Sequence, residues 1–106
     1  MFARVLEFVP KIDRRQELIQ VIKHQILPIL QKQPGYLDAL SLFQINTERA
    51  MAISLWSEKR FAQAYEREWF AKVQELVKPY LATPIAVNCY LVETELCERL
   101  ENALLG

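Results

Sequence analysis

The chain switches hydrophobic period several times, and each switch marks an element. Phe2, Leu6 and Phe8 share one side of an extended segment with Arg4, while Ala3, Val5 and Val9 share the other with Glu7, so residues 2–9 read as a strand that is apolar on both faces. Pro10 ends it. Asp13-Arg14-Arg15-Gln16 has the form of a capping box, and Leu18, Ile19, Ile22, Ile26, Ile29 and Leu30 then recur at helical spacing to about Gln33, with Pro28 expected to kink the last turn. Pro34-Gly35 stops that helix. Residues 36–44 and 50–56 are extended runs joined by the polar stretch Ile45-Asn46-Thr47-Glu48-Arg49, a hairpin pattern. Ser57 is placed to cap a second helix, whose Phe61, Tyr65, Trp69, Val73, Leu76, Val77 and Tyr80 follow one apolar arc as far as Thr83-Pro84. A last strand follows over residues 84–92. Leu96, Leu100 and Leu104 then suggest a short C-terminal helix.

The order β-α-β-β-α-β predicts an α+β, ferredoxin-like arrangement: one four-stranded antiparallel sheet with two helices on one face. We expect one such domain over residues 1–93 and a helical tail over 94–106. Two helices cover only one face, yet the strands are apolar on both. A homodimer packed sheet to sheet is the expected cover, forming a dimeric α+β barrel.

Composition narrows the functions open to the chain. The 106 residues are 52% hydrophobic and carry 13 Lys+Arg against 13 Asp+Glu, a balance that lacks the basic footprint of nucleic-acid or polybasic membrane binding. Only two glycines occur, Gly35 and Gly106, so no dinucleotide or phosphate loop can be written. Cys89 and Cys97 with the single His24 cannot complete a four-ligand zinc site, and no metal is expected. The start lacks a signal-peptide pattern and no apolar run approaches the roughly 20 residues of a membrane span, so a cytoplasmic protein is expected.

Two stretches carry a family resemblance. Ile26-Leu27-Pro28-Ile29-Leu30-Gln31-Lys32-Gln33-Pro34-Gly35-Tyr36 closes the first helix, and Ser54-Leu55-Trp56-Ser57-Glu58 joins the third strand to the second helix. Together they resemble the antibiotic biosynthesis monooxygenase family over roughly residues 2–92. The resemblance implies a dimeric α+β barrel and, for members of known activity, cofactor-independent oxygenation of aromatic polyketides or quinol-like compounds, or haem opening. The haem-opening relatives carry a strand-one Asn, a helix-two Trp and a later His. Here strand one has no Asn, and the other two positions fall near Ala64 or Tyr65 and near Gln74. No cofactor is therefore expected.

Candidate site residues follow, each with a plainer use beside it. Glu7 is the candidate catalytic base if burial raises its pKa, against an ion pair with a neighbouring Arg. Trp56, Tyr65, Trp69 and Phe70 put rings where a flat substrate could lie, against core packing for the first three; Phe70 sits near the edge of the arc. Arg4 either clamps an anionic ligand or ties subunits together, and with Asn88 and Tyr90 it is assigned to the dimer interface. His24 faces away from the apolar helix face and reads as a surface residue. Three functions remain: a small cofactor-independent monooxygenase acting on a hydrophobic aromatic compound, a non-catalytic ligand-binding module, and a structural dimer that docks a partner through its C-terminal helix.

Overall fold

The computed structural model describes residues 1–96. The C-terminal helix expected from Leu96, Leu100 and Leu104 lies outside them beyond its first residue, and Thr94–Leu96 form a single 3-10 turn.

The strands β1 (Phe2–Phe8), β2 (Tyr36–Phe43), β3 (Ala50–Trp56) and β4 (Ala86–Leu91) form one antiparallel sheet in the order β2-β3-β1-β4. This is the expected ferredoxin-like topology. Its register fixes the two faces: Arg4 lies opposite Ser54 and Cys89, Leu6 opposite Ala52 and Val87, and Val5 opposite Ile53 and Asn88. Directly opposed residues share a face. Phe2, Arg4, Leu6 and Phe8 therefore lie on one side with Ala50, Ala52, Ser54 and Trp56. Ala3, Val5 and Glu7 lie on the other with Met51, Ile53 and Leu55.

The helices cover the first of these faces. Leu18, Val21, Ile26 and Leu30 from the first helical segment, and Ala62, Tyr65, Phe70, Val73 and Val77 from the second, close a core over Phe2, Phe8, Ala50 and Trp56. The opposite face carries Leu40 at 45%, Leu42 at 46% and Tyr90 at 53% exposure, so no element among the described residues covers it.

Both helical segments depart from regularity. The first is α1 (Arg15–Val21), a π-helical stretch Ile22–Ile26, and α2 (Leu27–Gln31). Pro28 has no N–H to give the His24 carbonyl and its ring crowds that turn; the ladder widens just before it, with the Leu27 N–H reaching back five residues to the Ile22 carbonyl. The second is α3 (Lys59–Glu68) and α4 (Phe70–Val77), separated at Trp69. Trp69 has φ −128°, yet its N–H still reaches the Tyr65 carbonyl at 2.8 Å, so the rod bends without breaking.

Neither expected cap forms. A 3-10 turn at Ile12–Arg14 precedes α1, and Arg14 binds Glu17 instead, its Nη2 2.7 Å from Glu17 Oε2. Glu58 occupies the α3 N-cap position with no side-chain capping bond, and the Ser57 N–H donates to the Gly35 carbonyl at 2.8 Å. The last strand begins at Ala86, later than Pro84, since proline has no N–H for the ladder.

Candidate functional site: a cavity between sheet and helices

A cavity of about 180 Å³ lies between the covered sheet face and the helices. Its floor is built by alternation in the strands: Arg4, Leu6 and Phe8 from β1, Ala52 and Ser54 from β3, Ala39 and Ser41 from β2. Leu18, Ile22, Ile26, Leu27 and Leu30 supply one side of the roof, and Tyr65, Val73 and Val77 the other. The space exists because four small side chains, Ala39, Ser41, Ala52 and Ser54, sit in adjacent strands under the helices. That alternation of small residues was present in the sequence and is the signal that could have located the cavity.

The walls are apolar with few exceptions. Among the described residues that line it, Arg4, Ser41, Ser54 and Tyr65 bring polar side chains. Ser54 Oγ accepts a hydrogen bond from Trp56 Nε1 at 2.9 Å. Burial pushes the Tyr65 phenol above its ordinary pKa, with the nearby Arg4 guanidinium opposing the shift.

Arg4 is the unusual group. It is 2% exposed, and its guanidinium lies 4.5 Å from the centre of the Phe70 ring and 5.2 Å from that of Tyr65. The nearest carboxylate oxygen, Glu66 Oε1, stands 3.8 Å from Nη2, too far for a hydrogen bond. Nε and Nη2 are buried with no hydrogen-bond acceptor among the described residues. A buried cation is ordinarily paired and hydrogen-bonded, because taking it out of water costs several kcal/mol. The rings answer part of that cost through their negative faces; they leave the two N–H donors unmet.

The residues singled out from sequence are dispersed. Tyr65 and Arg4 meet at the cavity. Phe70 is buried behind Arg4 and forms the platform under it, with its ring 6.4 Å from that of Tyr65. Trp56 is fully buried, packed edge-on to Tyr36 at 5.9 Å and tilted against Tyr65 at 5.3 Å, so it braces the wall from behind. Trp69 is half-buried at the bend, with Lys72 Nζ 5.5 Å from its ring, and does not line the cavity. Glu7 is exposed on the opposite sheet face, beside Met51 and Ala86. Asn88 and Tyr90 are exposed on that same face; Arg4 is not on it. Among the described residues no group of three His, Cys, Asp or Glu is disposed to hold a metal ion, and no helix is long and apolar enough to cross a membrane.

No family model matches the chain, and no curated protein matches it in sequence. Solved structures do. One is a monooxygenase from the gene ActVA-Orf6 of Streptomyces coelicolor in complex with the ligand nanaomycin D: TM-score 0.71, 17% identity, 87% of each chain covered. Another is a mutant of SnoaB, a cofactor-independent oxygenase from Streptomyces nogalater: TM-score 0.74, 13% identity, 87% of this chain and 92% of that one. A third is a Bordetella bronchiseptica protein provisionally named an antibiotic biosynthesis monooxygenase: TM-score 0.75, 14% identity, 86% of this chain and 95% of that one. The fold is that of the antibiotic biosynthesis monooxygenase-like proteins. At these identities the likeness shows the fold alone. Within that monooxygenase-like fold, the cavity of this chain lies between the sheet and its helices.

Proposed function

We propose that the chain is a cofactor-independent monooxygenase acting on a small hydrophobic aromatic compound held in the cavity between sheet and helices. One observation carries this reading: an apolar cavity of about 180 Å³ with the buried cation Arg4 among its lining residues. A dry cavity of roughly 150 Å³ accommodates benzene, so this one suits one or two rings. Arg4 and Tyr65 are the proposed substrate-contacting residues, and Phe70, Trp56 and Trp69 support them from outside the cavity. Arg4 favours the ionised form of an enol or phenol, which raises electron density on the ring carbon that meets oxygen. Oxidation of a ring methylene to a carbonyl balances without a cofactor: one oxygen atom enters the product, the other leaves as water, and the substrate supplies four electrons. Glu7, on the opposite face, is not assigned a part in this step.

The same reading includes a homodimer. Leu40, Leu42 and Tyr90 lie exposed on one continuous face with Val5, Met51 and Ile53, a surface suited to a second copy of itself. Asn88 and Tyr90 are its proposed polar contacts.

Oxygen uptake by the purified protein against a panel of naphthols, hydroquinones and anthrone-like phenols checks the enzymatic reading. Turnover that is lost in Arg4→Met is expected; no uptake with any member would overturn it. A second reading, a non-catalytic binding module, is favoured by the lack of any carboxylate or imidazole among the described residues that line the cavity. Stabilisation by a compound that is recovered unchanged would support it.

A further inference from the structure

We propose that the Ser54 hydroxyl is a specificity-determining donor of this cavity, selecting aromatic compounds that carry a carbonyl oxygen on the ring system. The inference rests on the reading of the cavity as a ligand site and adds the neutral acceptor that its ligand carries.

Ser54 is held from behind by Trp56. The indole N–H can only donate, Trp56 is fully buried, and Ser54 Oγ at 2.9 Å is its partner. That bond fixes Oγ on the covered face of the sheet. It occupies one lone pair and leaves the hydroxyl proton over, and among the described residues that proton has no hydrogen-bond partner. Donation from the indole into Oγ also polarises the O–H bond, which strengthens a further bond made by its proton.

Space for an acceptor lies beside it. Ser54 belongs to the interior strand β3, flanked by Arg4 of β1 and Ala39 of β2. Although its side chain points under the helices, Ser54 is half-buried, not fully buried, and it lines the cavity. Ala39 and Ala52, its small neighbours on the same face, leave that side of the floor low. The body of the ligand meets hydrocarbon from Leu6, Leu18, Ile22 and Val73. A carbonyl accepts the Ser54 proton and brings no proton of its own for this wall to satisfy. An ionised carboxylate would leave water for a single hydrogen bond, a poor exchange.

Tyr65 is the competing donor, because its phenol also lines the cavity. The two are separated by titrating 1-indanone and indane, which differ by one carbonyl oxygen, into the parent, Ser54→Ala, Ser54→Thr and Tyr65→Phe. Expected is a loss of about tenfold in 1-indanone affinity in Ser54→Ala, with indane changed less than about twofold, because the bound carbonyl is left without a partner. Ser54→Thr, which keeps the hydroxyl, should restore the parent values. Infrared difference spectra should place the carbonyl stretch of bound 1-indanone at a lower frequency in the parent than in Ser54→Ala. Should Ser54→Ala fail to fold because the indole N–H is orphaned, Ser54→Cys replaces it, and its weak S–H donor should raise the same band. Equal losses for both probes would reduce Ser54 to a packing residue and overturn the proposal. So would a selective loss in Tyr65→Phe with none in Ser54→Ala, and both outcomes leave the cavity a ligand site. If neither probe binds the parent, that reading falls as well.

Discussion

The Ser57 N–H donates to the Gly35 carbonyl across 2.8 Å, joining the turn before β2 to the turn after β3. These two turns carry the sequence stretches that resemble the antibiotic biosynthesis monooxygenases, and in the fold they are one contact. Tyr36 and Trp56 lie opposite each other in the sheet beside it and their rings meet at 5.9 Å. The motif residues brace one end of the sheet, behind the wall that holds Tyr65 and Arg4.

Gly35 is required at this point for two reasons. Its φ is +78°, and a Cβ built on it would sit 2.2 Å from Phe61 Cδ2 and 2.6 Å from Phe61 Cβ. Gly35→Ala should cost about 2–4 kcal/mol, combining a left-handed backbone penalty with overpacking against a side chain anchored in α3. Chemical denaturation measures it; an unchanged midpoint would contradict the account.

Tyr65 should shape the alkaline limb of stability. Its pKa is raised in the fold, first by burial, so stability is fully present below the unfolded value and is lost as pH climbs through the folded one. The decline should therefore begin above about pH 10. Tyr65→Phe should flatten it without abolishing it, since burial also raises the Tyr36 phenol. Thermal melts at stepped alkaline pH give the comparison.

Ala52 tests whether the cavity is used. It lies opposite Leu6 in β1 and lines the floor, so Ala52→Leu pushes three extra carbons into empty space. Stability should stay within about 1 kcal/mol of the parent, because the added volume meets a void and not a packed neighbour. Stabilisation by aromatic ligands should disappear, which differential scanning fluorimetry reads directly.

Leu42 tests the bare face. It sits opposite Met51 in the register and is 46% exposed. Leu42→Glu should convert a dimer to a monomer in sedimentation velocity at micromolar concentration, with little change in far-UV circular dichroism, because burying an unpaired carboxylate at an interface costs far more than leaving it in water. A parent chain that already sediments as a monomer would remove the dimer from the proposal.

The topology was legible in the sequence because period 2 and period 3.6 are local signals, and the four strands and two helical segments that they marked over residues 2–92 appear, with ends shifted by a few residues. The two irregular turns were less accessible. Pro28 announced a disturbance, but that it takes the form of one wide turn ahead of the proline depends on how the helix sits over the sheet. Parity placed Arg4 with Phe2, Leu6 and Phe8, yet it could not say which face the helices would cover, so Arg4 read as a subunit contact and Glu7 as facing inward. The structure reverses those surroundings: Arg4 is buried and Glu7 is exposed. A cavity is an absence of atoms among residues far apart in the chain, and only the small side chains at positions 39, 41, 52 and 54 hinted at it.

The wide turn at Ile22–Ile26 lies directly above that space, and both of its end residues face it. Winding the same residues as a regular α-helix would swing everything beyond that turn through about 100°. Leu27 and Leu30 would then leave the ceiling they now form. The length of this segment is consequently pinned by what it roofs, and its irregular winding is the form the helix takes to lay both ends of its greasy stripe over one hollow.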